Sequence, residues 1–184
     1  MTNDAWFRGS LSHLHITSAA SAPMQPLRTA TLVAGEGIEG DRYATRLGTY
    51  SSRHHIDRQV TLIEAETLEA LLRDHHVELL AGEHRRNMTT TGVPVGHLVG
   101  RYFRVGDCVL YGGRLNVPCK YLEGLLGKPV FRPLIHRSGL NARIVIGGTV
   151  RVGDRVEPVD PADLPADLVA RNERTPPEPA PEPL

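Results

Sequence analysis

The sequence predicts a mainly β fold in which a sheet curls on itself and carries a few short helices. Short alternating runs fill the middle of the chain and are broken by glycine at Gly92, Gly96, Gly100, Gly106, Gly112 and Gly113, which is turn chemistry between strands. Two passages echo each other, FRVGDCVLY at 103–111 and VRVGDRVEPV at 150–159. Each sets a Gly-Asp turn between apolar alternation, which suggests two equivalent corners of a curling sheet. Helical periodicity is confined to short stretches.

The bulk composition bounds the rest. With 184 residues, 40% of them hydrophobic, the chain can bury one good core, so a domain over 1–160 followed by a tail over 161–184 is expected. No apolar run is long enough to cross a bilayer, and MTNDAWFRGS lacks the basic and apolar regions of a signal peptide. Two cysteines, Cys108 and Cys119, do not make a disulfide framework, so free thiols in a reducing cytoplasm are expected, with no membrane partner.

Taken in order, SLSHLHITSAA at 10–20 alternates as a first strand, with His13 and His15 on one face. Two histidines without a third ligand read as exposed strand residues rather than a metal site. TATLVA is a second strand. GEGIEG at 35–40 matches the dinucleotide-binding glycine pattern, but no apolar helical stripe follows it, and Glu36, Glu39 and Asp41 would repel a pyrophosphate. A glycine turn leading into Asp41-Arg42 is the better reading. Ala65, Leu68, Leu71 and Leu72 mark one face of an amphipathic helix that ends near His75 and His76. ARIVIGGTV supplies a late strand, residues 161–172 a loose helix, and the Pro- and acid-rich end, at least 174–184, is expected to be disordered.

The chemistry concentrates between Arg85 and Cys119. From Arg85 to Arg143 ten Arg and Lys residues face two acids, Asp107 and Glu123. Aromatic residues make up 5% of the chain and no extended stretch interleaves them with the basic ones, which disfavours nucleic acid and favours a phosphate-bearing small molecule. Cys119 follows Pro118 and precedes KYLEGLLG, whose leucines recur at helical spacing, so it should start a helix. There the helix dipole and Lys120 would favour a thiolate, able to attack electrophiles or bind a metal. A small apolar residue packed under a turn is the competing reading.

GIEGDRY, the acidic helix, RRNMTTTGV, LVGRYFRVGD, the Pro-Cys pair, SGLNAR and GGTVRVGDRVEPV, in that order over roughly 10–159, resemble the MOSC family, the molybdenum cofactor sulfurase C-terminal domain. The resemblance implies a partly open β-barrel with a few helices. It implies the molybdenum cofactor as ligand, with Cys119 as catalytic residue and molybdenum ligand or as a sulfur carrier. Arg85, Arg86 and Asn87 match the family's Arg-x-Asn segment at the pterin site, and Arg42 falls in its Gly-Asp-Arg turn. With Thr89 and Lys120 these form the expected cofactor-binding set. Three function classes follow: a reductase of N-hydroxylated compounds fed by a separate electron-donor protein, a non-catalytic carrier of cofactor or persulfide sulfur, and a cofactor-free interaction module.

Overall fold

The fold is built from short strands whose alternate residues enter one core. A computed structural model describes residues 6–51 and 55–173; the expected disordered end at 174–184 lies outside the described residues. The strands are β1 (Gly9–Ile16), β2 (Gln25–Leu27), β3 (Thr29–Val33), β4 (Gly37–Ile38), β5 (Val60–Glu64), β6 (Met88–Thr91), β7 (Tyr102–Val105), β8 (Cys108–Leu115), β9 (Leu140–Ile146), β10 (Gly148–Arg151) and β11 (Arg155–Val159). The helices are α1 (Ala65–His75), α2 (Lys120–Leu126) and α3 (Ala166–Glu173).

Seven strands in the order β11-β7-β8-β9-β5-β6-β1 form a closed mixed barrel, with β2 added beside β1. The sequence-based expectation of a mainly β barrel with short helices therefore holds. Where that expectation had the barrel partly open, β1 meets β11 through two residue pairs, Gly9 with Val156 and Ser10 with Arg155. β5 and β6 run parallel, which the α1 crossover between them requires. β3, β4 and β10 make a separate small sheet.

The barrel core packs Leu11, Leu14, Leu62, Phe103, Leu110 and Leu140, all fully buried. A second cluster lies outside the barrel wall, where Ile63 of β5 meets Leu71 of α1 and Leu122 of α2. Strand parity explains the division. Val60 and Leu62 point into the barrel, so Thr61 and Ile63 point out toward the helices.

Two expectations need correction. The echoing Gly-Asp corners are neighbours but not equivalents. Gly106 turns β7 into β8 within the barrel, whereas Gly153 carries the chain from the small sheet into β11. They abut, since Gly106, at φ 57°, leaves only 2.6 Å between a Cβ there and the Asp154 carboxylate. Nor are both strand histidines exposed. His13 is, but His15 is 3% exposed, because the 82–84 turn folds over it and sets its ring 6.2 Å from that of His84. Burial, then the charge of His13, lowers the His15 pKa.

Candidate functional site

The outward face of β5, the 42–50 turn, the Arg85-Arg86 turn and the start of α2 line an open recess, about 410 Å³ with its solvent-open mouth included. Its lining includes Arg42, Tyr43, Tyr50, Arg85, Arg86 and Cys119. Thr61, Asn116 and Tyr121 also contribute. Among the described residues no acid lines it.

Cys119 occupies the N-cap of α2 in extended conformation, as its Pro-Cys-Lys setting predicts, and is half-buried. α2 has seven residues, so its dipole is short, and Arg86 is the arginine whose charge interacts with Cys119. Tyr50 and Cys119 line the recess together, and burial, then hydrogen bonding with and the charge of Cys119, pushes the Tyr50 phenol up to about 12. Cys108 instead lies in the barrel core, where burial and then the charges of Asp107 and Asp154 push its thiol up to about 11.

The three arginines differ in how they are held. Arg42 pairs with the buried Asp41 at 3.3 Å and donates to the Arg85 carbonyl at 3.1 Å. Its guanidinium lies 4.5 Å over the Tyr43 ring. Arg85 has a left-handed backbone, φ 59°, and donates to the Ala22 carbonyl at 2.8 Å. Burial, then the like charge of Arg42, lowers its pKa. Arg86 is the most committed, donating to the Ser138 carbonyl at 3.0 Å, the Ser138 hydroxyl at 2.7 Å and the His84 carbonyl at 2.9 Å. Burial pushes it down to about 10 against the supporting charges of Cys119 and Tyr43. Three buried or half-buried cations thus face one solvent-open space and give it a positive potential.

The structure brings Arg42, Arg85, Arg86 and Cys119 together. Asn87, Thr89 and Lys120 lie elsewhere. Asn87 is buried behind the recess, where its amide donates to Asp41 and to the His15 carbonyl and accepts from Thr61. Thr89 contacts the His84 ring at 3.2 Å. Lys120 pairs with Glu123 at 2.8 Å and sits 4.8 Å from the Phe131 ring centroid. The tyrosines were missed. Tyr43 and Tyr121 each follow a singled-out basic residue, a faint signal, whereas Tyr50 has none. Tyr121 hydrogen-bonds Ser21 and Thr49, and these bonds with the Arg85 and Arg42 charges outweigh burial and lower its pKa.

The fold and recess together define a small β-barrel domain with an arginine-lined thiol pocket on its outer wall. The MOSC domain profile matches residues 30–157, and the chain belongs to the MOSC domain family, which is associated with the molybdenum cofactor. Among solved structures it is similar to the YuaD protein of Bacillus subtilis, with TM-score 0.69 and 17% identity over 82% of this chain and 94% of that one. It is also similar to YiiM of Geobacillus stearothermophilus, with TM-score 0.64 and 13% identity over 83% of this chain and 75% of that one. YiiM of Escherichia coli gives TM-score 0.59 and 15% identity over 84% and 69%. At these identities the likeness is one of fold. No curated protein sequence matches the chain. Among the described residues no helix is long and apolar enough to cross a membrane.

Proposed function

We propose that this chain binds the pterin molybdenum cofactor in the arginine-lined recess, with Cys119 as the protein ligand to the metal. In this reading it reduces N-hydroxylated small molecules with electrons from a separate donor protein. The observation that carries the reading is the meeting of Cys119 with Arg42, Arg85 and Arg86 in a recess to which, among the described residues, no acid contributes. The donor set fits the group: a thiolate is a soft metal ligand, and guanidinium groups match phosphate oxygens. The crowding of Arg85 by Arg42 is the strain that a bound phosphate relieves.

When bound, the metal would supply two-electron chemistry that, with two protons, converts N–OH to N–H and water. The chain's part is to bind and orient. Arg42 and Arg85 hold the anionic end. Arg86, tied to the Ser138 carbonyl and hydroxyl and to the His84 carbonyl, fixes the turn that carries Arg85. Tyr50 orients the Cys119 sulfur, and the tyrosine rings narrow access for water. Asn87 and Thr89 support this wall from behind, and Lys120 braces the start of α2.

The test is metal and pterin analysis of protein made in a cofactor-competent host, for the wild type and Cys119→Ala. Stoichiometric molybdenum that disappears in the variant, with an unchanged melt, supports the reading. A wild type without molybdenum, or full loading of the variant, overturns it. A sulfur-carrier role is the second reading, favoured by the accessibility of Cys119. It is distinguished by persulfide sulfur on a molybdenum-free wild type.

A further inference from the structure

A fully buried carboxylate, that of Asp41, lies directly behind the Cys119 recess, in contact with its lining. We propose that Asp41 is the positioning residue of that recess: its charge holds Arg42, and through it Arg85, in place before an anion arrives. The functional weight of this role rests on the cofactor reading above; its binding chemistry is tested without the cofactor.

Asp41 Oδ1 accepts from the Thr17 N–H at 3.2 Å, the Arg42 guanidinium at 3.3 Å and the Asn87 amide at 3.1 Å. Oδ2 accepts from the Tyr43 N–H at 3.1 Å. Arg42 and Tyr43 line the recess. Asn87 carries the hold one step further, because its Oδ1 accepts the N–H and the hydroxyl of Thr61, another lining residue, at 3.1 and 2.8 Å. Arg42 carries it to the Arg85 carbonyl, at 3.1 Å. That carbonyl belongs to the residue whose left-handed backbone, φ 59°, has to be held against its own preference.

The charge of Asp41 is what separates this role from plain scaffolding. A carboxylate out of water is unfavourable unless it is paired and hydrogen-bonded, and a neutral oxygen could accept from the same N–H groups. A neutral oxygen cannot offset cations. Arg42 and Arg86 are buried and Arg85 is half-buried, and like charges facing one space disfavour one another. Burial, then the Arg42 charge, lowers the Arg85 pKa, while Tyr121, Tyr43 and Asp41 act against that shift. Among the described residues no acid lines the recess, so the counter-charge stands behind the cations rather than among them. There it restrains Arg42 without taking the place of an anion's oxygens.

Asp41→Asn keeps the shape, removes the charge and turns an amide NH2 toward a group that is already a donor. Arg42 then retains only neutral partners: the Arg85 carbonyl, the Met24 sulfur at 3.5 Å and the Tyr43 ring.

The test is a two-residue cycle. Phenyl phosphate is titrated calorimetrically into full-length protein prepared without molybdenum, as wild type, Asp41→Asn, Arg42→Gln and the double variant, with melts recorded on the same samples. Asp41→Asn is expected to weaken binding about ten-fold. In the Arg42→Gln background the same change should weaken it by about two-fold or less, because the residue through which it acts is gone. A lower melt with wild-type affinity in Asp41→Asn, or the same loss of affinity in both backgrounds, marks a merely structural role and overturns the proposal. So does a wild type that does not bind phenyl phosphate. Arg42→Lys answers the question if Asp41→Asn fails to fold. It keeps the cation but not the two-point hold between Asp41 and the Arg85 carbonyl, so its affinity should fall about ten-fold, and wild-type affinity there overturns the proposal. A wild type that binds phenyl phosphate yet takes up no molybdenum in a cofactor-competent host would sink the cofactor reading and leave the role of Asp41 standing.

Discussion

His84 Nδ1 accepts the backbone N–H of Arg86 at 3.0 Å, which puts the imidazole proton on Nε2, facing the Thr89 hydroxyl at 3.2 Å. The ring is neutral by construction. Burial, then the charges of Arg86, His15 and His13, pushes its pKa down to about 3.

A pH dependence follows. The unfolded chain protonates His84 near its ordinary value of 6.5, and the folded chain resists until about 3. Below 6.5 the unfolded state therefore binds more protons, and stability, complete above that pH, falls as the solution is acidified. The slope approaches about 1.4 kcal/mol per pH unit from this one group. Urea unfolding at pH 7.5, 6 and 5 should show a decline that is shallower in His84→Asn. Equal slopes in the two proteins would refute the assignment.

Arg85 and Arg86 should separate function from folding. Arg86→Ala strips partners from the Ser138 and His84 carbonyls in a fully buried place, and should cost roughly 3 kcal/mol. Arg85→Gln should leave the melt nearly unchanged and weaken anion binding about ten-fold to a hundred-fold. Melting temperature and bound pterin measured on the same samples decide between the two behaviours.

Thiol labelling should discriminate the cysteines. At neutral pH a soluble alkylating agent is expected to modify Cys119 and spare Cys108, which is fully buried with a thiol raised to about 11. Faster labelling of Cys108 in the native protein would reverse the assignment of the active thiol.

Gly113 admits no side chain, because a Cβ there would overlap the Asp57 carboxylate. Asp57 pairs with Arg143, which in turn donates to the Asn172 carbonyl at 3.1 Å. Gly113→Ala should cost about 3 kcal/mol, seen as a lower urea midpoint with an unchanged m-value.

Helix α3 should contribute measurably to stability. Leu164 and Val169 pack on Tyr102, Val109 and Val159, and Asn172 donates to the Tyr102 hydroxyl at 3.0 Å. Ending the chain at residue 160 uncovers that patch, and a loss of about 2 kcal/mol would lower the melting temperature by about 4–8 °C. An unchanged melt would show that the helix adds nothing.

What could be read from the residues alone was whatever depends on neighbours in sequence. Cys119 at a helix start followed from Pro118 and the leucine spacing, and α1 from its apolar stripe. What escaped depends on chain segments far apart. His15 is buried by a turn at residues 82–84, and Asn87 is occupied by Asp41 and Thr61, so neither fate is written in its own surroundings. Tyr50 reaches Cys119 from a turn with no periodic pattern. Lys120 was expected to act on its neighbour Cys119, but Glu123, one turn ahead, is the closer and better partner.

The narrow seam between β1 and β11 bears on how the protein is made. β1 is translated near the start of the barrel and its closing partner at the end, so at about 5–20 residues per second the first strand waits several seconds or longer for β11. β6 arrives well before that and covers one side of β1, and β2 already covers residues 14–16 on the other, while the Gly9–Ser10 end of that edge stays bare on the nascent chain. That interval is when a strand edge can capture the wrong neighbour. Losses in yield from slowed translation or from changes at Gly9 and Ser10 should therefore appear as aggregation during synthesis, before any effect on the finished barrel is seen.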